Sequence, residues 1–161
     1  MNSIHDIADY IIKKNDYGCS DISMLKLQKL LYYAQAYYLA NYKKPLFNEE
    51  FQAWVHGPVN REIFDRFKET HSLYSIATCK DLRMGFDEEI LSNEDREYID
   101  DFLNSFGHLS GTDLEVMSHN DVPWIKARNG LKPLDKCENI ISKVEMLVYY
   151  SKILEQEREG I

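Results

Sequence analysis

The chain carries neither a C-x-x-C nor an H-x-x-x-H pair, and its three cysteines, Cys19, Cys79 and Cys137, are widely spaced. An odd, scattered set argues against a disulfide framework and fits reduced thiols in a cytosol. Without a local ligand pair the five histidines offer no zinc site. No metal and no cofactor is expected. Seven glycines and four prolines are too few for a disordered chain or a turn-rich all-β fold. No apolar stretch approaches the ~20 residues of a membrane span, and the N-terminal MNSIHDIADYIIKKND has no signal-like hydrophobic run. Positive charge is also short. The formal net charge is −8, whereas a duplex-DNA binder usually presents a basic face that displaces counterions. These absences predict a soluble, cytoplasmic protein with no membrane association and no direct DNA binding, whose charge favours a basic partner surface.

What is present is enough for a core. The 161 residues are 44% hydrophobic and 12% aromatic, with 11 tyrosines, and a chain of this length buries roughly 70% of its unfolded surface. Apolar residues at helical spacing are the main signal. Ile4, Ile7, Ala8, Ile11 and Ile12 form one stripe behind a Ser3/Asp6 cap and stop at Asn15 to Gly18. Leu27, Leu30, Leu31, Ala34 and Tyr38 form the stripe of a central helix, capped by Ser20 or Ser23 and ended by Asn41 and Lys43-Lys44-Pro45. Phe51-Gln52-Ala53-Trp54-Val55 alternates like a short strand and breaks at His56-Gly57-Pro58. Asn60 opens a short helix bearing Ile63 and Phe67.

From Glu69 to Leu91 the periodicity dissolves into a loop with local turns. Ser92 then caps a helix with Tyr98, Ile99, Phe102, Leu103 and Phe106 inward and Glu94, Glu97, Asp100 and Asp101 outward. Thr112 to Ser118 reads as a short helix, Pro123 as the first turn of another, and Ser142 with Glu145 as the capping box of the last. The expected fold is therefore mainly α, a compact single domain over 1–157 of six or seven helices, with 158–161 as a frayed tail. A two-stranded ribbon forms if Phe51–Val55 pairs with Asn139–Ile141. Leu27, Leu31, Ala34, Ile63, Phe67, Phe102, Phe106 and Leu147 are expected in one core.

Residues able to carry chemistry are sparse. No G-x-S-x-G elbow is present, and the serines read as helix caps. Gly57-Pro58 before a helix N-terminus could hold an anion, but one Gly and Arg61 fit a structural turn better. His56 and His119 each stand near a tryptophan and could meet as an acid–base pair, or each ring could bond a backbone group and order its loop. Opposite the central stripe, Lys26, Lys29, Tyr33 and Tyr37 fall on one ridge, a recognition surface, a solvated helix face, or a face whose tyrosines the 69–91 loop covers. In FQAWV, Trp54 projects to the side opposite Phe51, Ala53 and Val55, as core or as a binding anchor; Trp124 reads as core.

The blocks LQKLLYYAQAYYLA, PLF, FQAWVHGPV and FDRFK, followed by Ser118-His119-Asn120-Asp121-Val122-Pro123-Trp124, resemble the SocA-like or Panacea antitoxin family, from Ile4 to about Tyr150. The resemblance implies an antitoxin that neutralises a cognate protein toxin, by direct binding or by delivery to a Clp-type protease. It implies no catalytic residues. Some relatives add a helix-turn-helix DNA reader, for which this sequence leaves no residues. The candidate partner-binding set is Lys29, Tyr33, Tyr37, Trp54, His56 and Arg61. Two alternatives stand beside it: a prophage-encoded protein that binds a host factor, and a small enzyme using His56 and His119. The oligomeric state has no sequence signal.

Overall fold

The computed structural model describes residues 1–15 and 21–160. The expected helix stop at 16–18, Cys19, Ser20 and the final residue of the tail lie outside them. Seven helices and one small ribbon are present among the described residues: α1 (Ile4–Asn15), α2 (Met24–Tyr42), β1 (Gln52–Trp54), β2 (Gly57–Val59), α3 (Arg61–Phe67), α4 (Asn93–Phe106), α5 (Gly111–Asn120), α6 (Val122–Arg128) and α7 (Lys143–Arg158).

Helix α2 is the axis of the molecule. It packs against α1, α4, α5, α7 and β2, so apolar neighbours surround it instead of covering one stripe. Only Tyr37, Asn41 and Tyr42 of its residues escape burial. Ser23 caps its start, its hydroxyl accepting from the Lys26 N–H at 3.1 Å. At the other end Lys43 turns into the left-handed region (φ 57°) and donates its N–H to Leu39 O, while its ammonium bonds Ala40 O at 2.7 Å.

Burying polar side chains costs free energy unless each finds a partner, and those of α2 do. Gln35 accepts from the Leu46 N–H at 2.8 Å and donates to Phe47 O at 2.6 Å. Gln28 likewise accepts from the Asn60 N–H at 2.8 Å and donates to Asn60 O at 3.1 Å. Lys26 reaches Gly107 O at 2.6 Å. For the ridge of Lys26, Lys29, Tyr33 and Tyr37 the exposed-face readings thereby give way to that of covered tyrosines, with helices and not the 69–91 loop as the cover. Lys26, Lys29 and Tyr33 are buried and Tyr37 is half-buried, because α4, α5 and α7 cover what the pattern left as the outer face.

Leu27, Leu31, Ala34, Ile63, Phe67 and Phe102 share the core as expected, and Phe106 and Leu147 pack against it half-buried. The 69–91 stretch lies along the start of α2, with Met24 N–H donating to Ser75 O and Ala77 N–H to Ile22 O. It contains two short 3-10 turns, Cys79–Asp81 and Glu88–Ile90. A charge cluster around a buried carboxylate ties it down: fully buried Asp9 accepts from Arg66 and Arg83, each at 2.6 Å, and Asp6 accepts from Arg83 at 2.6 Å. Ser92 and Ser142 cap α4 and α7, and Pro123 sits in the first turn of α6.

The ribbon forms differently from the expectation. β1 pairs antiparallel with β2 across the His56 turn, Ala53 opposite Pro58. The 139–141 segment adds only a bridge on the outer edge of β1, through Ala53 N–H to Asn139 O and Ile141 N–H to Phe51 O. The tight local hairpin needs less chain closure than pairing with a distant segment, and takes the inner edge.

Candidate partner-binding groove

The ribbon is held by side chains from three helices. Arg128 donates to Ala53 O at 2.9 Å, the Trp124 indole to Trp54 O at 3.0 Å, and His119 Nε2 contacts Val55 O at 2.9 Å. From below, the Lys29 ammonium donates to Pro58 O at 3.0 Å. Gly57 makes this close approach possible. Its φ is +96°, and a Cβ there would stand 2.6 Å from Ser118 Oγ and 2.7 Å from Lys29 Cε. A hairpin pinned at successive carbonyls is a rigid platform.

On that platform Trp54 and the exposed Phe64 of α3 meet edge to face, centroids 4.9 Å apart. The Arg61 guanidinium lies 5.7 Å from the Trp54 ring and 5.6 Å from that of Phe64. These side chains stand at one wall of a groove of about 530 Å³ between α2, the ribbon, α3, the 71–73 turn and 136–138. Val59, Ile63 and Phe67 provide more of its apolar lining, and Cys137 reaches it from the far side. A cleft of this size with few polar groups suits an apolar side chain of a partner.

Four of the six sequence-named residues, Lys29, Trp54, His56 and Arg61, line this groove. Lys29 does so as a fully buried floor residue; loss of hydration lowers its ammonium to about 7, with Glu115 acting the other way. His56 is exposed and pairs with the Glu115 carboxylate at 2.8 Å, so its partner is an acid and not the backbone. Arg61 is half-exposed, 3.4 Å from both Asp65 and Glu138.

Tyr33 and Tyr37 belong elsewhere, in an aromatic cluster with Phe106 and Tyr150. Beside it, Asp121 gathers three hydroxyls, from Tyr33 at 2.6 Å, Tyr150 at 2.7 Å and Tyr149 at 3.2 Å. Burial first, then the Asp121 charge, holds the Tyr33 hydroxyl well above the ordinary phenol range.

His119 does not pair with His56. Its ring stacks on Trp124 at 4.4 Å and its Nε2 is committed to Val55 O, with burial lowering its pKa. Ser118 Oγ donates to Glu115 O and is no free nucleophile. No group of three or more metal-ligating side chains forms among the described residues, and no described helix is long and apolar enough to cross a membrane.

The family model described as "Antitoxin SocA-like, Panacea domain" matches residues 27–125, more than half of the chain. The chain belongs to that family. A curated relative, "Antitoxin SocA" of Caulobacter vibrioides (strain NA1000 / CB15N), is 35% identical over 115 residues, covering 68% of this chain and 61% of the relative. The chain thus matches less than two thirds of that relative's length. No solved structure matches. In this Panacea domain the quoted blocks meet in space: Trp54 and Val55 of FQAWVHGPV are held by Trp124 and His119 of the 118–124 block, whose Asp121 also holds Tyr33, while Lys29 of the central helix holds Pro58.

Much of each block is therefore scaffold for the groove. Arg128, Asp121 and Phe64 are parts that sequence reading passed over. The signal for Asp121 was the high tyrosine count, since buried hydroxyls need acceptors; for Arg128 and Phe64 no local pattern existed.

Proposed function

We propose that this Panacea domain is an antitoxin that neutralises a cognate protein toxin by direct binding at the groove beside Trp54, and that it acts without catalysis. Family membership and the relative's name support the antitoxin role. The groove carries the binding part of the reading: Trp and Arg are the side chains in which interface energy most often concentrates. Here Trp54, Phe64 and Arg61 stand together on a rigid hairpin, at the mouth of an apolar cleft. Delivery of the toxin to a Clp-type protease is a variant of the same act, in which the bound toxin is handed on.

The test is growth rescue. A candidate toxin, sought among the reading frames adjoining this gene, is expressed alone and then with this chain. Arrest in the first case, and growth in the second, is the expected result. Loss of rescue with Trp54→Ala or Arg61→Ala, each with an unchanged circular dichroism spectrum, supports the groove. Full rescue by both contradicts it. Toxin levels that fall only when the protease is present distinguish delivery from occlusion.

A further inference from the structure

We propose that the segment occupying this groove is an acidic stretch of the partner protein, with one large apolar side chain flanked by carboxylates. This rests on the groove being the partner-binding surface, and it goes further by giving the partner's chemistry.

The sign of the local charge carries the inference. The chain as a whole bears −8, which would draw a basic partner, yet the exposed cations lining the groove are Arg61, Lys68 and Lys136, against the single lining carboxylate Glu138. The carboxylates of the outer face of α4, among them Glu94, Glu97 and Asp101, line no part of it. With a screening length of ~8 Å at physiological ionic strength, a segment seated in the groove responds to the lining and not to that remote face.

The acids that do stand near are only partial counterweights. Asp65 lies 3.4 Å from Arg61 and 3.2 Å from Lys68; Glu138 lies 3.4 Å from Arg61 and 3.9 Å from Lys136. All of these groups are 43% exposed or more. Such pairs are weak and readily exchanged. A guanidinium with five donors can take a partner's carboxylate while keeping these contacts. The remaining imidazoles are already paired, His56 with Glu115 and His71 with Asp81.

Beneath this basic rim the surface is apolar. Trp54 and Phe64 form an edge-to-face corner, with Val59, Ile63 and Phe67 deeper. The complementary ligand therefore puts an aromatic or long aliphatic side chain inward and its acids outward, toward Arg61, Lys68 and Lys136.

The experiment uses a randomised peptide library displayed on phage and selected against the whole chain. Fluorescence anisotropy then follows the enriched peptide, its Asp/Glu→Asn/Gln version and its Asp/Glu→Lys version. The expected pool is rich in Asp or Glu beside Trp, Phe or Leu. The amide version should bind at least tenfold more weakly, and the lysine version should not bind. Arg61→Glu and Trp54→Ala should each weaken the acidic peptide at least tenfold, with Arg61→Gln intermediate and circular dichroism unchanged.

A basic or neutral pool, an empty selection, or peptide binding indifferent to Arg61→Glu and Trp54→Ala would overturn the proposal. So would self-association of the chain that Trp54→Ala abolishes, since the occupant would then be a second copy. The selection needs no toxin. An acidic pool alongside failed growth rescue would count against the antitoxin reading alone, and rescue with a basic pool against the groove chemistry alone.

Discussion

Replacing Lys29 by methionine should make the protein more stable at pH 6 and progressively lose that advantage as the pH rises. The ammonium is fully buried, and loss of hydration lowers it from the ordinary 10.5 to about 7. At about 1.4 kcal/mol per pH unit, that gap corresponds to roughly 5 kcal/mol as an upper bound. Between pH 7 and 10.5 the unfolded chain binds a proton at Lys29 that the folded chain does not. This residue's contribution to stability therefore rises with pH through that window, and its full penalty applies below about 7.

Methionine keeps the length and the apolar stem but forfeits the bond to Pro58 O, a loss of about 1–3 kcal/mol for a buried acceptor left without its donor. The difference, variant minus wild type, should be on the order of +2 to +4 kcal/mol at pH 6 and fall by roughly 2–3 kcal/mol between pH 7 and 9. Urea unfolding of both proteins at pH 6, 7, 8 and 9 measures it, and the subtraction cancels the titration of groups that do not interact with Lys29. A difference that stays flat across that range would refute the reasoning, because Lys29 would then titrate alike in both states.

Leu31→Ala, at a fully buried position of α2, should cost ~2–5 kcal/mol through lost transfer energy and a cavity; an unchanged denaturation midpoint would remove α2 from the centre of the core. Gly57→Ala should cost roughly 2–4 kcal/mol in thermal or urea unfolding, since it meets both the positive φ and the crowding by Ser118 and Lys29; no loss would mean that the hairpin is not pinned as described. Asp121→Asn keeps the shape but lowers the charge that three tyrosines share. It should cost about 1–3 kcal/mol in urea unfolding, whereas an unchanged denaturation midpoint would contradict the shared acceptor.

What could be read from the sequence was what is local. Ser23, Asn60, Ser92 and Ser142 cap their helices within three residues of the groups they satisfy, and Pro123 marks a helix start by its own geometry. The alternation of FQAWV placed Trp54 away from Ala53, and the structure has Ala53 in the core and Trp54 on the groove.

The environment of α2 was not legible. A lysine at helical spacing reads as solvated, and nothing local says that Lys29 lies under a glycine with Pro58 O as its acceptor. The same holds for Tyr33, whose acceptor Asp121 stands 88 residues away. Half of the groove came from neighbours in sequence, Trp54 and Arg61. The other half, with Lys136 and Glu138, came from packing of a distant turn that carries no periodic signal.

The central claim, that this antitoxin-family domain holds a protein partner at the Trp54 groove, is tested most directly by titration calorimetry with the toxin whose growth arrest this chain relieves. A nanomolar dissociation constant, about −12 kcal/mol, is predicted for the wild type. With Trp54→Ala a loss of at least ~2 kcal/mol is predicted, a weakening of about thirtyfold or more. Equal affinity of a folded Trp54→Ala protein and the wild type would contradict the account and place the interface on another face.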